Sequence, residues 1–163
     1  MKTGIFGGSF NPIHKGHIHL AESVLKELGL DRIIFVPSKK SPHRSSSEYA
    51  SETDRFEMLR LATEYNKSFE VSDYEFSQER TSYTVYTIRH FKELYPDDEF
   101  YLLIGSDMLL TFDEWYCFEE IMKNASIVCV SRNEGDYPQL ASKAQQLLEY
   151  GNVKICTTAP YPV

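Results

Sequence analysis

Gly4-Ile5-Phe6-Gly7-Gly8-Ser9-Phe10-Asn11-Pro12-Ile13-His14-Lys15-Gly16-His17 decides the fold of this chain. Gly4-Ile5-Phe6 is a brief apolar run that closes on two glycines, the pattern of a buried strand entering a tight turn. Beyond the turn, Ile18, Leu20, Ala21, Val24, Leu25 and Leu28 fall at helical spacing, and Gly29 supplies a stop. Ile33-Ile34-Phe35-Val36, closed by Pro37, is the next buried strand. A strand, a glycine-rich turn, a helix and a second strand in close succession make a crossover unit, which lays its two strands parallel.

The remaining chain repeats the alternation. After a polar loop from Ser38 to Ser51, Ser51 with Asp54 resembles a helix start, continued by Phe56, Leu59, Ala62 and Tyr65. Phe69 to Tyr74 alternates like a strand, Thr84 to Leu94 reads as helix, and Phe100 to Ile104 as a strand ending at Gly105. A short helix from Phe118 to Lys123, a strand from Ser126 to Val130, a helix from Gln139 to Tyr150 and a strand from Val153 to Cys156 complete the order. The expected fold is α/β, Rossmann-like and doubly wound, with a mainly parallel sheet covered by helices on both faces. One domain accounts for residues 1–163. Ligands in such sheets bind beyond the carboxyl ends of the strands, where the strand order reverses. That rule singles out Gly7 to His17, Ser38 to Arg44 and Gly105 to Tyr116.

The chain carries a net charge of −7 with 25% charged residues, which disfavours nucleic acid and anionic membranes as partners, because its long-range field repels phosphate polymers. A small phosphorylated ligand needs only a few local donors. Three cysteines without a CxxC pair suggest reduced thiols. No apolar stretch approaches the length of a membrane span, and the expected location is cytoplasmic.

Physical chemistry makes the first turn a ready anion site, although a glycine-rich turn taken alone is equally only a turn. Two glycines let the backbone bend and bring its N–H groups close to a ligand. The helix that begins near His14 points its free N–H groups and positive dipole end into the same space. The turn is neither a GxGxxG dinucleotide fingerprint nor a GxxxxGK[ST] phosphate loop. His14 and His17 are three residues apart, about 60° around a helix and on one face, whereas His19 points away from His17. Two histidines alone do not make a zinc site, and no third ligand accompanies them.

The run Gly7 to His17 resembles the GxFxPxHxGH signature of the adenylyltransferase superfamily, with its H-x-G-H motif. The resemblance implies that the turn (Gly7, Gly8, Ser9, Phe10) and the catalytic His14 and His17 hold the phosphates of ATP. His17 would carry most of the stabilisation, and Gly16 would keep the helix face open. It also implies direct in-line attack on the α-phosphorus, with Mg2+ accompanying ATP, pyrophosphate leaving and no covalent enzyme intermediate. Phosphoryl chemistry of this kind asks mainly for positioning and charge stabilisation.

Further segments are similar to those of bacterial nicotinate-nucleotide adenylyltransferases. Pro37 to Arg44 resembles their P-x-x-x-P-H-[KR] loop, implying that Lys40, His43 and Arg44 contact nicotinate mononucleotide. Asp54 to Ala62 resembles their R-x-x-M-L-x-L-A helix, whose implied role is mostly packing. Ser82-Tyr83-Thr84 matches an S-Y-T step that places Thr84 at the nicotinate end; taken alone, Thr84 is equally a helix cap. Ile104 to Met108 resembles I-G-A-D-M, with Ser106 for Ala, implying that Gly105 and Asp107 contact the ATP ribose; read alone, Asp107 caps a helix. Trp115-Tyr116 matches a W-[YH] step in which Trp115 stacks on the pyridine, and Arg132 matches V-x-R-P-G with Asn133-Glu134-Gly135 replacing Pro-Gly. Ser9 stands for the commoner Thr, and Asn11 for Asp. A second phosphate motif, I-S-S-T-x-[IV]-R, is expected immediately after Val163.

The resemblance therefore implies transfer of AMP from ATP to nicotinate mononucleotide in NAD biosynthesis, by a chain for which a homo-oligomer is compatible. Pantetheine-phosphate adenylyltransferase or a cytidylyltransferase shares the same turn, and a non-catalytic nucleotide-binding module is the alternative from another class.

Overall fold

The computed structural model describes residues 1–39, 51–79, 83–131 and 134–157. In chain order the elements are β1 (Lys2–Gly8), α1 (Lys15–Glu27), β2 (Arg32–Pro37), α2 (Glu52–Thr63), β3 (Phe69–Val71), α3 (Thr84–Leu94), β4 (Glu99–Gly105), α4 (Ser106–Leu110), α5 (Phe118–Asn124), β5 (Ala125–Ser131), α6 (Tyr137–Leu147) and β6 (Val153–Thr157). The strands form one sheet in the order β3-β2-β1-β4-β5-β6, with every neighbouring pair parallel. The chain winds outward from β1 to β3, then returns past β1 to lay down β4. The strand order thus reverses between β1 and β4, and their carboxyl ends frame the crevice.

Alternation along the strands sorts side chains to the two faces. Ile5, Ile34, Leu102, Ile104 and Ile127 join Val85, Ile88, Phe91, Leu109, Ile121 and Leu140 from α3 to α6 in one core. Ile33, Phe35, Tyr101, Leu103 and Val128 join Ala21 and Val24 of α1 and Leu59 of α2 in the other. Both faces of the sheet are therefore dry, as the continuous apolar strand runs require.

Local signals explain where elements stop. Ser51 caps α2, its hydroxyl accepting the Asp54 N–H at 3.1 Å. Gly29, at φ 61°, follows α1 in the left-handed conformation that glycine adopts at little cost. Strand β3 ends at Val71 rather than Tyr74, because the chain turns over Tyr74 to Ser77, with the Ser72 hydroxyl accepting the Tyr74 N–H. Helix α4 was anticipated only through Asp107 read as a helix cap; its five residues are too few for a period to register.

At the amino ends of the strands, Arg32 ties the sheet together. It donates to Thr3 Oγ1, Glu70 and Asp98, and lies 4.0 Å over the Tyr95 ring. Asp98 also accepts from the Thr3 hydroxyl and the Met1 amine. Burial pushes the Asp98 carboxyl up, but the bonds from Thr3, Arg32 and Met1 outweigh it and hold the group below its ordinary value.

Candidate active site

The glycines do not make the turn after β1. Gly7 and Gly8 remain in the strand, paired with Val36 and Pro37, and the reversal falls on Phe10, at φ 44°, next to a cis Asn11–Pro12 bond. A left-handed phenylalanine costs about 1–3 kcal/mol. Burying its ring supplies a comparable opposing gain, about 1.5–3 kcal/mol: Phe10 is 2% exposed and packs edge-on to Phe6 and His17. The glycines contribute bare backbone. A Cβ at Gly8 would meet the Phe10 ring at 3.4 Å, and one at Gly7 would meet only the Val36 carbonyl at 3.8 Å.

His14 and His17 are brought together as expected, through a different geometry. His14 is not on the helix; it is the extended N-cap residue of α1, at φ −137° and ψ 173°. Its Nδ1 accepts the Gly16 N–H at 3.1 Å, while its own N–H donates to His17 Nδ1 at 3.1 Å. The two rings stack at 3.7 Å between centroids. This is a reciprocal cap built from imidazoles where serine and glutamate are commoner. Its consequence is chemical: with Nδ1 accepting, the neutral form of each ring carries its proton on Nε2. No acidic side chain occupies the first turn of α1, and Lys15 lies exposed there. Within an acidic chain, this corner is locally suited to an anion. His19 lines, with His14, Glu22 and Tyr65, a groove of about 410 Å³ beside α1.

Across the crevice, β4 pairs with β1 through Ile5–Leu102 and Phe6–Leu103, which carries Gly105 to the same end of the sheet as the turn after β1. Asp107 is exposed in the first turn of α4 and does not cap it; the N-cap is Gly105. Thr84, Trp115 and Tyr116 converge on a cavity of about 300 Å³ that Tyr83, Glu114 and Ile121 also line. Trp115 serves the core as well, packing on Phe112 at 4.7 Å. Thr84 is the first residue of α3, not its cap; Tyr83 holds the cap position without a side-chain bond. Tyr83 and Tyr116 lie 4.8 Å apart and Tyr86 stands 6.0 Å from Tyr116, an aromatic wall of which the sequence reading picked out only Tyr116. Lys40, His43, Arg44 and Arg132 lie outside the described residues.

Sequence reasoning missed Arg55. The helix that carries it was expected to serve packing, and Leu59 does so. Yet Arg55 is itself 1% exposed and donates to the carbonyls of Ser9 and Ser38. Arg55 is the R of the R-x-x-M-L-x-L-A match, and that motif position was the signal for it; reading the helix as packing passed over it.

Among the described residues, no three His, Cys, Asp or Glu side chains converge in a way that could hold a metal ion, and no helix is long and apolar enough to cross a membrane.

Comparison with known proteins gives this geometry its place. The cytidylyltransferase-like family model matches residues 5–161. A protein of Lachnoclostridium phytofermentans named "Probable nicotinate-nucleotide adenylyltransferase" is 41% identical over 94% of this chain and 77% of its own. A protein of the same name from Carboxydothermus hydrogenoformans is 46% identical over 80% of this chain and 65% of its own. The chain thus spans roughly two thirds to three quarters of these relatives' length. The Plasmodium falciparum nicotinic acid mononucleotide adenylyltransferase complexed with NaAD shares the fold, with a TM-score of 0.78 and 18% identity over 99% of this chain and 78% of that one. With the family model spanning nearly the whole chain and a relative of this identity matched over most of both lengths, the chain belongs to the cytidylyltransferase-like family and, within it, to the nicotinate-nucleotide adenylyltransferases.

Proposed function

We propose that this chain transfers AMP from ATP to nicotinate mononucleotide, giving nicotinate adenine dinucleotide and pyrophosphate, as a step of NAD biosynthesis in the cytoplasm. The observation that carries the reading is the reciprocal imidazole cap: His14 and His17 are stacked at the start of α1, with the Nδ1 of each accepting a backbone N–H of the turn. A substrate phosphate oxygen attacks the α-phosphorus, the new P–O bond forms in line, and the bond to pyrophosphate breaks. The chain needs no nucleophile for this. It needs fixed donors where negative charge gathers.

In this reading the backbone of Gly7, Gly8, Ser9 and Phe10 approaches the triphosphate, and His17 and His14 donate to it. Gly105 and Asp107 meet the ribose, since a carboxylate can accept from two hydroxyls. Nicotinate mononucleotide enters the cavity of Thr84, Trp115 and Tyr116, where flat rings suit a pyridine. Lys40, His43, Arg44 and Arg132 are proposed as its further contacts on the resemblance of their segments. Mg2+ would arrive with ATP, with substrate phosphates and waters as its usual ligands. When bound, it neutralises phosphate charge.

Pyrophosphate release from ATP and Mg2+ by the full-length protein, with nicotinate, nicotinamide and pantetheine phosphates compared, tests the proposal. Fastest turnover is expected with nicotinate mononucleotide. Preference for the pantetheine phosphate, or binding of ATP without release from any substrate, would overturn it.

A further inference from the structure

We infer that Arg55 is a positioning residue, which clasps the phosphate turn after β1 to the loop that leaves β2 and thereby sets the frame in which ATP is held. The inference rests on the adenylyltransferase reading, which it deepens. Arg55 is the largest fully buried side chain among the described residues. One guanidinium nitrogen, Nη1, donates to Ser9 O at 2.8 Å and to Ser38 O at 2.9 Å. Ser38 N–H donates in turn to Gly8 O at 2.8 Å. The β1–β2 ladder has its last residue pair at Gly8–Pro37, so these bonds carry the connection past the end of the sheet, where strand pairing no longer holds the chain. The Phe76 ring, 5.0 Å from the guanidinium carbon, brings the segment after β3 onto the same cation.

A buried cation is costly to desolvate and persists where its hydrogen bonds are met. An apolar side chain would fill the space without bonding the carbonyls. Lysine would bring charge without the flat, pre-organised fork. Ser9 is bonded on through the chain to Phe10, whose ring lies 5.1 Å from that of His17. Loosening Ser9 therefore loosens the support of His17 without touching the imidazole.

The test compares Arg55→Met and Arg55→Lys with the unaltered protein in steady-state turnover, alongside hydrogen exchange at the Ser38 amide. A misplacement of about 1 Å can cost on the order of 100-fold in rate. Arg55→Met is expected to lower kcat/KM for ATP roughly 10- to 100-fold, with KM for ATP rising and Ser38 exchanging faster, and Arg55→Lys is expected to recover part of both. A structural role alone would lower Tm and leave kcat and KM of the folded enzyme unchanged. That outcome overturns the inference, as does failure of both variants to fold. If the unaltered protein turns over neither substrate, the activity falls, and Ser38 exchange still decides the clasp.

Discussion

Replacing His17 with alanine should separate what the imidazole does for the helix from what it does for the reaction. In the folded protein the substitution removes the bond from His14 N–H to His17 Nδ1 at 3.1 Å, the 3.7 Å stack on His14 and an edge contact with Phe10. Loss of a helix cap costs about 0.5–2 kcal/mol. In a domain of this size, each kcal/mol lowers Tm by roughly 2–4 °C. Against a folding free energy of about 5–15 kcal/mol, the enzyme stays folded at 25 °C. The reaction should lose more. Removing one preorganised donor to a developing oxyanion costs about 2.7–4 kcal/mol, or 10²–10³ in kcat. Thermal melts and pyrophosphate release on the same sample therefore give a small and a large effect. Asparagine at this position keeps an acceptor for His14 N–H and should restore Tm more fully than kcat. A folded His17→Ala protein with kcat within about threefold of the parent would refute the role of the pair, since a lost donor of this kind costs at least ~10².

Three further outcomes are expected. Trp115→Ala should raise KM for nicotinate mononucleotide more than for ATP in steady-state kinetics, because Trp115 lines the Thr84–Tyr116 cavity; equal rises would count against stacking. Gly151→Ala should destabilise by about 1–3 kcal/mol, the usual range for overpacking, because an added Cβ would stand 2.7 Å from the Met122 carbonyl oxygen; an unchanged denaturation midpoint would contradict this. The Asp98 carboxyl is held below its ordinary value in the folded chain, so its stabilisation is present above the unfolded value of about 3.9 and fades as pH falls through the folded one. The Tm advantage of the parent over Asp98→Asn should shrink below about pH 4; an equal gap at both ends of a titration from neutral to acid would reject the linkage.

What sequence conveyed depended on the reach of each interaction. Ser51 and Asp54 announced the start of α2 because cap and acceptor lie within one turn. The apolar runs of β1, β2, β4 and β5 could be read as buried parallel strands because both faces of the sheet are covered. His14 and His17 were visible as a pair for the same local reason, although the periodic argument placed them on a helix face and the structure makes one of them the cap. Phe10 was overlooked as the turning residue because neighbouring glycines offered a cheaper candidate, and its cost is met by aromatic contacts that no local pattern encodes. Arg55 was visible as a motif position, but its role was beyond reach for a stronger reason: its carbonyl partners are 46 and 17 residues away, and nothing in their identities marks them as acceptors.

The position of β1 in the sheet also gives the protein a vulnerable interval during synthesis. One edge of β1 is paired once β2 is complete at Pro37, but the other stays open until β4 is complete at Gly105. At about 5–20 residues per second, the stretch between them takes roughly 3–14 s to make. Throughout that time the nascent chain offers a bare apolar edge, ready to pair with another copy on a neighbouring ribosome. Strand β2 is paired on both sides once β3 is complete at Val71, so β1, which leads into the Phe10 turn, is the later of these two inner strands to be closed.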